Sequence, residues 1–218
     1  MRLTVLLVLL AGLTGCASMT TQSGNEAGLT DVRAKIALGR CDDGLVTSLS
    51  RSKAPELEQE AAYICLQQGK LEAVEQLLKD YTKRHPNGPH PDYSAYLMAL
   101  AQQVRFELTE TDELARIREG RITHQRYADF VRSYPESEYR SEVGPRLNTL
   151  LEDMASTEYR LALKTAGEGD MQTAQARMSY IVRYYPHSRV VRDVNDWLGR
   201  VGTGQDNTAP GSAWQPGN

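Results

Sequence analysis

Three stretches decide the reading of this chain: LLKDYTKRHP (Leu77 to Pro86), RYADFVRSYP (Arg126 to Pro135) and RMSYIVRYYP (Arg177 to Pro186). Each ends on a proline, which cannot continue a helix. Each carries a bulky residue five before that proline (Tyr81, Phe130, Ile181) and another eight before it (Leu78, Tyr127, Met178). A step of three returns to the same side of a helix, so each stretch predicts one helix with a core-facing stripe and a common stop. A basic residue three before each proline (Lys83, Arg132, Arg183) is expected to meet the last helical carbonyls.

Working outward, Gly69 and Gly169 each precede their proline by 17 residues, which predicts helix, glycine turn, helix, proline stop. Small residues stand where paired helices must approach closely: Ala61 and Ala62 in one copy, Ala162 and Ala174 in the other. This register resembles the tetratricopeptide helical hairpin, in which neighbouring hairpins stack into a superhelix. The prolines lie 49 and 51 residues apart, more than the ~34 of a standard repeat, so some helices must be longer. Pro91 to Glu107 and Asp153 to Ala166 are the candidates. No sustained apolar/polar alternation marks a strand. The fold class expected is all-α, a tetratricopeptide-like helical-hairpin superhelix over residues 29–201 with a lipidated N-terminal tether.

The two ends read differently. After Met1-Arg2, the apolar run Leu3 to Gly12 is far shorter than the ~20 residues a spanning helix needs and predicts a lipoprotein signal peptide over residues 1–15. Leu13-Thr14-Gly15-Cys16 follows directly and resembles the lipobox of bacterial lipoproteins, which implies acylation, palmitate included, at Cys16 as the lipid anchor. Ala17 in place of Asp implies sorting to the outer membrane. Residues 16–28 are polar and aperiodic, as expected of a lipid-anchored flexible linker. Residues 202–218 (GTGQDNTAPGSAWQPGN) read as a disordered tail, with Trp214 as its one bulky residue. Removal of residues 1–15 takes away Arg2 alone among charges and moves the formal net charge from −3 to −4. Cys41 and Cys65 then lie in an oxidising compartment, where they are either a disulfide or two buried free thiols.

Composition excludes several functions. Lys+Arg 25 against Asp+Glu 28 and a pI near 5.9 leave no basic excess for nucleic acid, so no nucleic-acid partner is expected. The four histidines (His85, His90, His124, His187) form no metal-ligand spacing, and His85 with His90 and Asp92 is explained by turn chemistry. There is no P-loop, no GxGxxG and no GxSxG elbow, so no metal, no cofactor, no catalytic residue and no enzymatic activity are expected. What remains is surface. The chain has 11 tyrosines against two Phe and two Trp, and tyrosine supplies rigid contact area with a polar tip. Most are expected to pack between hairpins with the hydroxyl wet. Tyr93 and Tyr96, at i, i+3, are the groove candidates for binding a peptide or partner, with Tyr139 and Tyr184 as further candidate contacts.

At HPNGPHPDYSAYLMAL (His85 to Leu100) and FVRSYPESEYRSEVGPRL (Phe130 to Leu147) the chain resembles the BamD-type lipoproteins of the outer-membrane β-barrel assembly machinery. The matching residues are Pro91-Asp92-Tyr93, Tyr96-Leu97-Met98-Ala99-Leu100, Tyr134-Pro135, Ser137, Tyr139 and Arg146-Leu147. Glu158-Tyr159 through Tyr185-Pro186 and Val191-Arg192-Asp193 resemble the family's following repeat. The resemblance implies a non-enzymatic scaffold on the periplasmic face of the outer membrane that helps nascent β-barrel proteins fold and insert. It implies N-terminal repeats that receive substrate peptides, and C-terminal repeats that bind the barrel-shaped core subunit alongside fellow lipoproteins. The alternative is another periplasm-facing helical-repeat adaptor, pilotin-like or coordinating the envelope.

Overall fold

A computed structural model describes residues 19–202; the lipobox with Cys16 and the tail with Trp214 lie outside the described residues. Ten helices run in order: α1 (Met19–Ala37), α2 (Asp43–Ser52), α3 (Pro55–Gln67), α4 (Leu71–Leu78), α5 (Tyr81–Arg84), α6 (Pro91–Leu108), α7 (Glu113–Ser133), α8 (Arg140–Gly167), α9 (Met171–Tyr184) and α10 (Val191–Gly202). No strand occurs among the described residues. The helices pair as hairpins α1/α2, α3/α4, α6/α7 and α8/α9, and α10 closes the last pair with Val194 and Trp197 buried.

The hairpin turns show how the glycines act. Gly39, Gly69 and Gly169 all sit at positive φ (+62°, +67°, +91°), where a side chain would clash with its own backbone. The next residue in each case, Arg40, Lys70 or Asp170, donates its N–H five residues back, to Lys35, Cys65 or Thr165 at 2.9, 2.9 and 3.1 Å. This 6→1 closure satisfies carbonyls that the helix end leaves open. The following helix is then started by an acceptor side chain where one is present. Asp42, Asp112 and Asp170 take the N–H groups of Leu45, Ala115 and Thr173 at 2.8, 2.9 and 3.0 Å.

All six bulky residues counted back from the prolines are buried, as are Ala61, Ala62, Ala162 and Ala174 at 0% exposure. Gly120 marks a third close approach: a Cβ there would lie 2.8 Å from Met154 Cγ on α8 and 3.1 Å from the Phe106 ring on α6. Burial is shared among three clusters rather than one centre. Val32, Leu45, Leu49, Val74 and Leu97 unite α1 to α6; Tyr96, Tyr127, Phe130 and Val143 unite α6 to α8; Phe106, Met154, Met178 and Trp197 unite α6 to α10.

Four local expectations are corrected. The segment read as tether is helical from Met19, continuing outward from the buried anchor Val32 with Leu29 and Ile36 beside it. LLKDYTKRHP is two helices, because Asp80 adopts φ +52° and breaks the run after Leu78. Arg84 fills the break by donating to the carbonyls of Leu77 and Lys79. Lys83 and Arg132 turn away from helical carbonyls because an aspartate stands three residues before each: they pair with Asp80 and Asp129 at 2.9 and 3.2 Å, while Arg183 lies over the Tyr184 ring. Finally, α8 starts at Arg140 and runs through Pro145, which forfeits only the bond to the Ser141 carbonyl.

Two aligned glutamates are buried in these hairpins. Glu58 and Glu158 each lie 11 residues before the turn glycine on the first helix of a hairpin. Glu58 takes Arg84 at 2.7 Å and His85 at 3.0 Å; Glu158 takes Arg177 at 2.9 Å and Arg121 at 3.4 Å. Cys41 and Cys65 are joined as a disulfide with Cα atoms 5.1 Å apart, which excludes the free-thiol alternative and staples the α1–α2 turn to α3.

Ala162→Trp is expected to destabilise the protein by more than ~2 kcal/mol, because overpacking a helix crossing forces backbone shifts; an unchanged Tm would show that the α8/α9 crossing is not close. Reducing Cys41–Cys65, or replacing both cysteines by Ala, is expected to cost ~3 kcal/mol in denaturant unfolding. Equal stability of oxidised and reduced protein would contradict this.

Candidate functional site: a tyrosine groove beside α6

The start of α6 is held by residues far away in sequence. The buried Gln59 side chain on α3 donates from Nε2 to the carbonyls of Pro89 and His90 and to Ser94 Oγ at 2.8–2.9 Å. The Tyr81 hydroxyl donates to the Pro89 carbonyl at 2.9 Å. These bonds fix the turn in which His90 sits at φ +44° immediately before Pro91. From the other side, Ser137 donates its hydroxyl to Asp92 Oδ2 at 2.6 Å and ties the α7–α8 turn to the first turn of α6.

This anchoring sets Tyr93 and Tyr139 side by side, ring centroids 5.3 Å apart. Tyr139 also stacks on Tyr96 at 4.9 Å, and Tyr96 continues inward to Phe130 at 5.7 Å. The aromatic series therefore runs from surface to core. Tyr93 and Tyr139, with Tyr63 of α3, Ile36 of α1 and Ile64, line a cavity of about 530 Å³. Its rim carries three exposed carboxylates, Glu56, Glu60 and Glu138, and among the described residues no lysine or arginine lines it.

The structure sorts the four candidate tyrosines. It brings Tyr93 and Tyr139 together on the groove. Tyr96 is buried beneath them at 4% exposure and donates its hydroxyl to Glu142, so it supports the wall and cannot touch a ligand. The i, i+3 pairing failed here because Tyr139, from the next hairpin, covers Tyr96. Tyr184 is 54% exposed but lies on α9 against Tyr180, ring centroids 4.4 Å apart, away from this cavity. The residue missed was Tyr63, 44% exposed, and its signal was present: Glu60, Tyr63 and Ile64 form an i, i+3, i+4 set on the side of α3 that Ala61, Ala62 and Cys65 leave outward.

Burial governs the electrostatics. Removal from water pushes the phenols of Tyr93 and Tyr96 up to about 12, and Tyr139 rises for the same reason with Glu138 nearby. The Tyr96 hydroxyl, followed by Arg146, holds the Glu142 carboxyl below its usual range. The phenols of Tyr93, Tyr96 and Tyr139 therefore stay neutral across the physiological range.

Stacked hairpins with glycine turns, alanine crossings and a groove between repeats define a protein of the tetratricopeptide-like helical-repeat class. The chain belongs to the YfiO family of outer membrane lipoproteins, whose profile matches residues 49–196. It is similar to the outer membrane protein assembly factor BamD of Neisseria gonorrhoeae and to that of Neisseria meningitidis serogroup A, at 23% identity over 146 residues in each case. The match covers 64% of this chain and 55% of each relative, so the chain spans about half the length of the curated relatives it matches.

The raised phenols predict alkaline behaviour with a definite sign. Their stabilising contribution is complete below the ordinary tyrosine value of about 10 and is lost as pH rises through about 12. Phenolate absorbance should show Tyr93 and Tyr96 ionising late, together with loss of helical circular dichroism. Ionisation of every tyrosine near 10 in folded protein would contradict the buried stack.

Proposed function

We propose that the protein is a non-enzymatic scaffold of outer-membrane β-barrel assembly, tethered through acylated Cys16 to the periplasmic face of the outer membrane. In this reading it helps nascent barrel proteins fold and insert, working with the barrel-shaped core subunit and fellow lipoproteins. Membership of the YfiO family and the assembly-factor names of its relatives support that setting.

The observation that carries the reading is the groove of Tyr63, Tyr93 and Tyr139 with its carboxylate rim. Rigid rings with wet hydroxyls provide contact area at small entropic cost, and they suit the aromatic and aliphatic side chains of an extended barrel-protein segment. Glu56, Glu60 and Glu138 favour segments that also carry lysine or arginine. The later hairpins, α8/α9 with α10, are left to the assembly partners.

A photocrosslinking residue at Tyr93 or Tyr139 in living cells is expected to trap unfolded barrel proteins, and the same residue at Tyr184 is not. Pull-down from detergent-solubilised outer membranes is expected to recover the barrel assembly core subunit. Failure to recover it would overturn the proposal, and co-purification with a secretin or pilus component would favour the pilotin-like adaptor instead.

A further inference from the structure

The geometry points to a second docking surface, a furrow on the other side of α6 that takes a short amphipathic helix of a partner protein, with a carboxylate of that helix meeting Arg126. Tyr93 faces the tyrosine groove, while Ala95, two residues on and about 200° around the helix, lines this second cavity. At about 660 Å³ it is the larger of the two. Leu78, Asp80, Tyr81 and Thr82, at the break between α4 and α5, form one side of it.

Shape and chemistry both specify the occupant. The α7 wall presents Ile122, Arg126, Asp129 and Ser133, a stripe about 16 Å long, or three helical turns. The floor is Ser94, Ala95 and Met98, small or pliable residues that allow a backbone to approach. Ile122 is 40% exposed, a large apolar side chain left partly in contact with solvent. A three-turn stripe of α7 beside Ala95 and Met98 matches a helix laid in a groove through anchors at i, i+3, i+4 and i+7.

Charge then selects among helices. Three of the four charged side chains in the furrow already have partners: Asp80 with Lys83, Asp129 with Arg132 and Gln125, Arg121 with Glu158. Arg126 is half-buried in the cavity wall and makes no hydrogen bond or ion pair with any described residue. A guanidinium beside apolar surface with no internal partner is complemented by a carboxylate, which it binds in bidentate fashion. This inference stands apart from the peptide groove, since it uses none of its residues.

The test uses the full chain and a fluorescein-labelled synthetic amphipathic peptide of about three helical turns, with leucines on one face and one glutamate beside them, together with versions carrying Gln or Lys in place of that glutamate. The glutamate peptide is expected to bind saturably and about tenfold more tightly than the Gln version. Arg126→Gln should abolish that preference with Tm little changed, because the Arg126 side chain makes no hydrogen bond or ion pair with any described residue and Gln keeps part of its stem. Ile122→Asp should weaken all three peptides, and Tyr93→Ala should leave them unaffected. Equal affinity for all three peptides, indifference to Arg126→Gln, or loss with Tyr93→Ala would overturn the proposal. So would a concentration-dependent dimer dissolved by Ile122→Asp, which would give the furrow to a second copy. Binding to phosphatidylglycerol vesicles lost in Arg126→Gln would give it to lipid.

Discussion

Everything in this fold depends on helices being able to approach one another where the side chain is no larger than a methyl group. Ala61, Ala62, Ala162 and Ala174 have no exposed surface, and Gly120 leaves no room even for a Cβ against Met154. Close packing of this kind is unforgiving, because protein interiors have the density of crystals and cannot absorb extra volume. With the crossings fixed, each hairpin offers its neighbour a defined surface. The three buried clusters follow one another along the stack instead of gathering at one centre.

The polar devices of the stack repeat as well. Glu58 and Glu158 occupy matching positions on α3 and α8, and each is neutralised by an arginine from the second helix of its own hairpin or the segment following it. A buried ion pair is weak evidence of net stability, since desolvation offsets most of its attraction. What it supplies here is position. At Glu58 the carboxylate holds Arg84 and His85 of the broken helix end. The break at Asp80 is therefore braced, and the open trough beside α7 is a built feature of the second hairpin.

The tyrosines show how far side-chain spacing can be read. Tyr93 and Tyr96 share one helix and were natural partners by period alone, yet the structure separates them into a groove residue and a buried support. Tyr139, 46 residues after Tyr93, does the separating by lying between their rings. Tyr63 joins them from another hairpin. No local pattern could have assembled this set, because its members meet only through the stacking of three hairpins.

By itself the sequence determined the all-helical class, the proline stops, two of the three glycine turns and the alanine crossings. Each of these is written in backbone sterics and in a period of 3.6 residues. It also marked Cys41 and Cys65 as candidates for a bond. Only the tertiary structure decided that they are joined, that Asp80 breaks its helix and that α8 runs through Pro145. It alone showed which tyrosines face outward and which charges are buried. The reason is physical: a residue's periodicity reports the face it shares with its own helix, whereas burial, pairing and exposure are settled by neighbours 30 to 50 residues away.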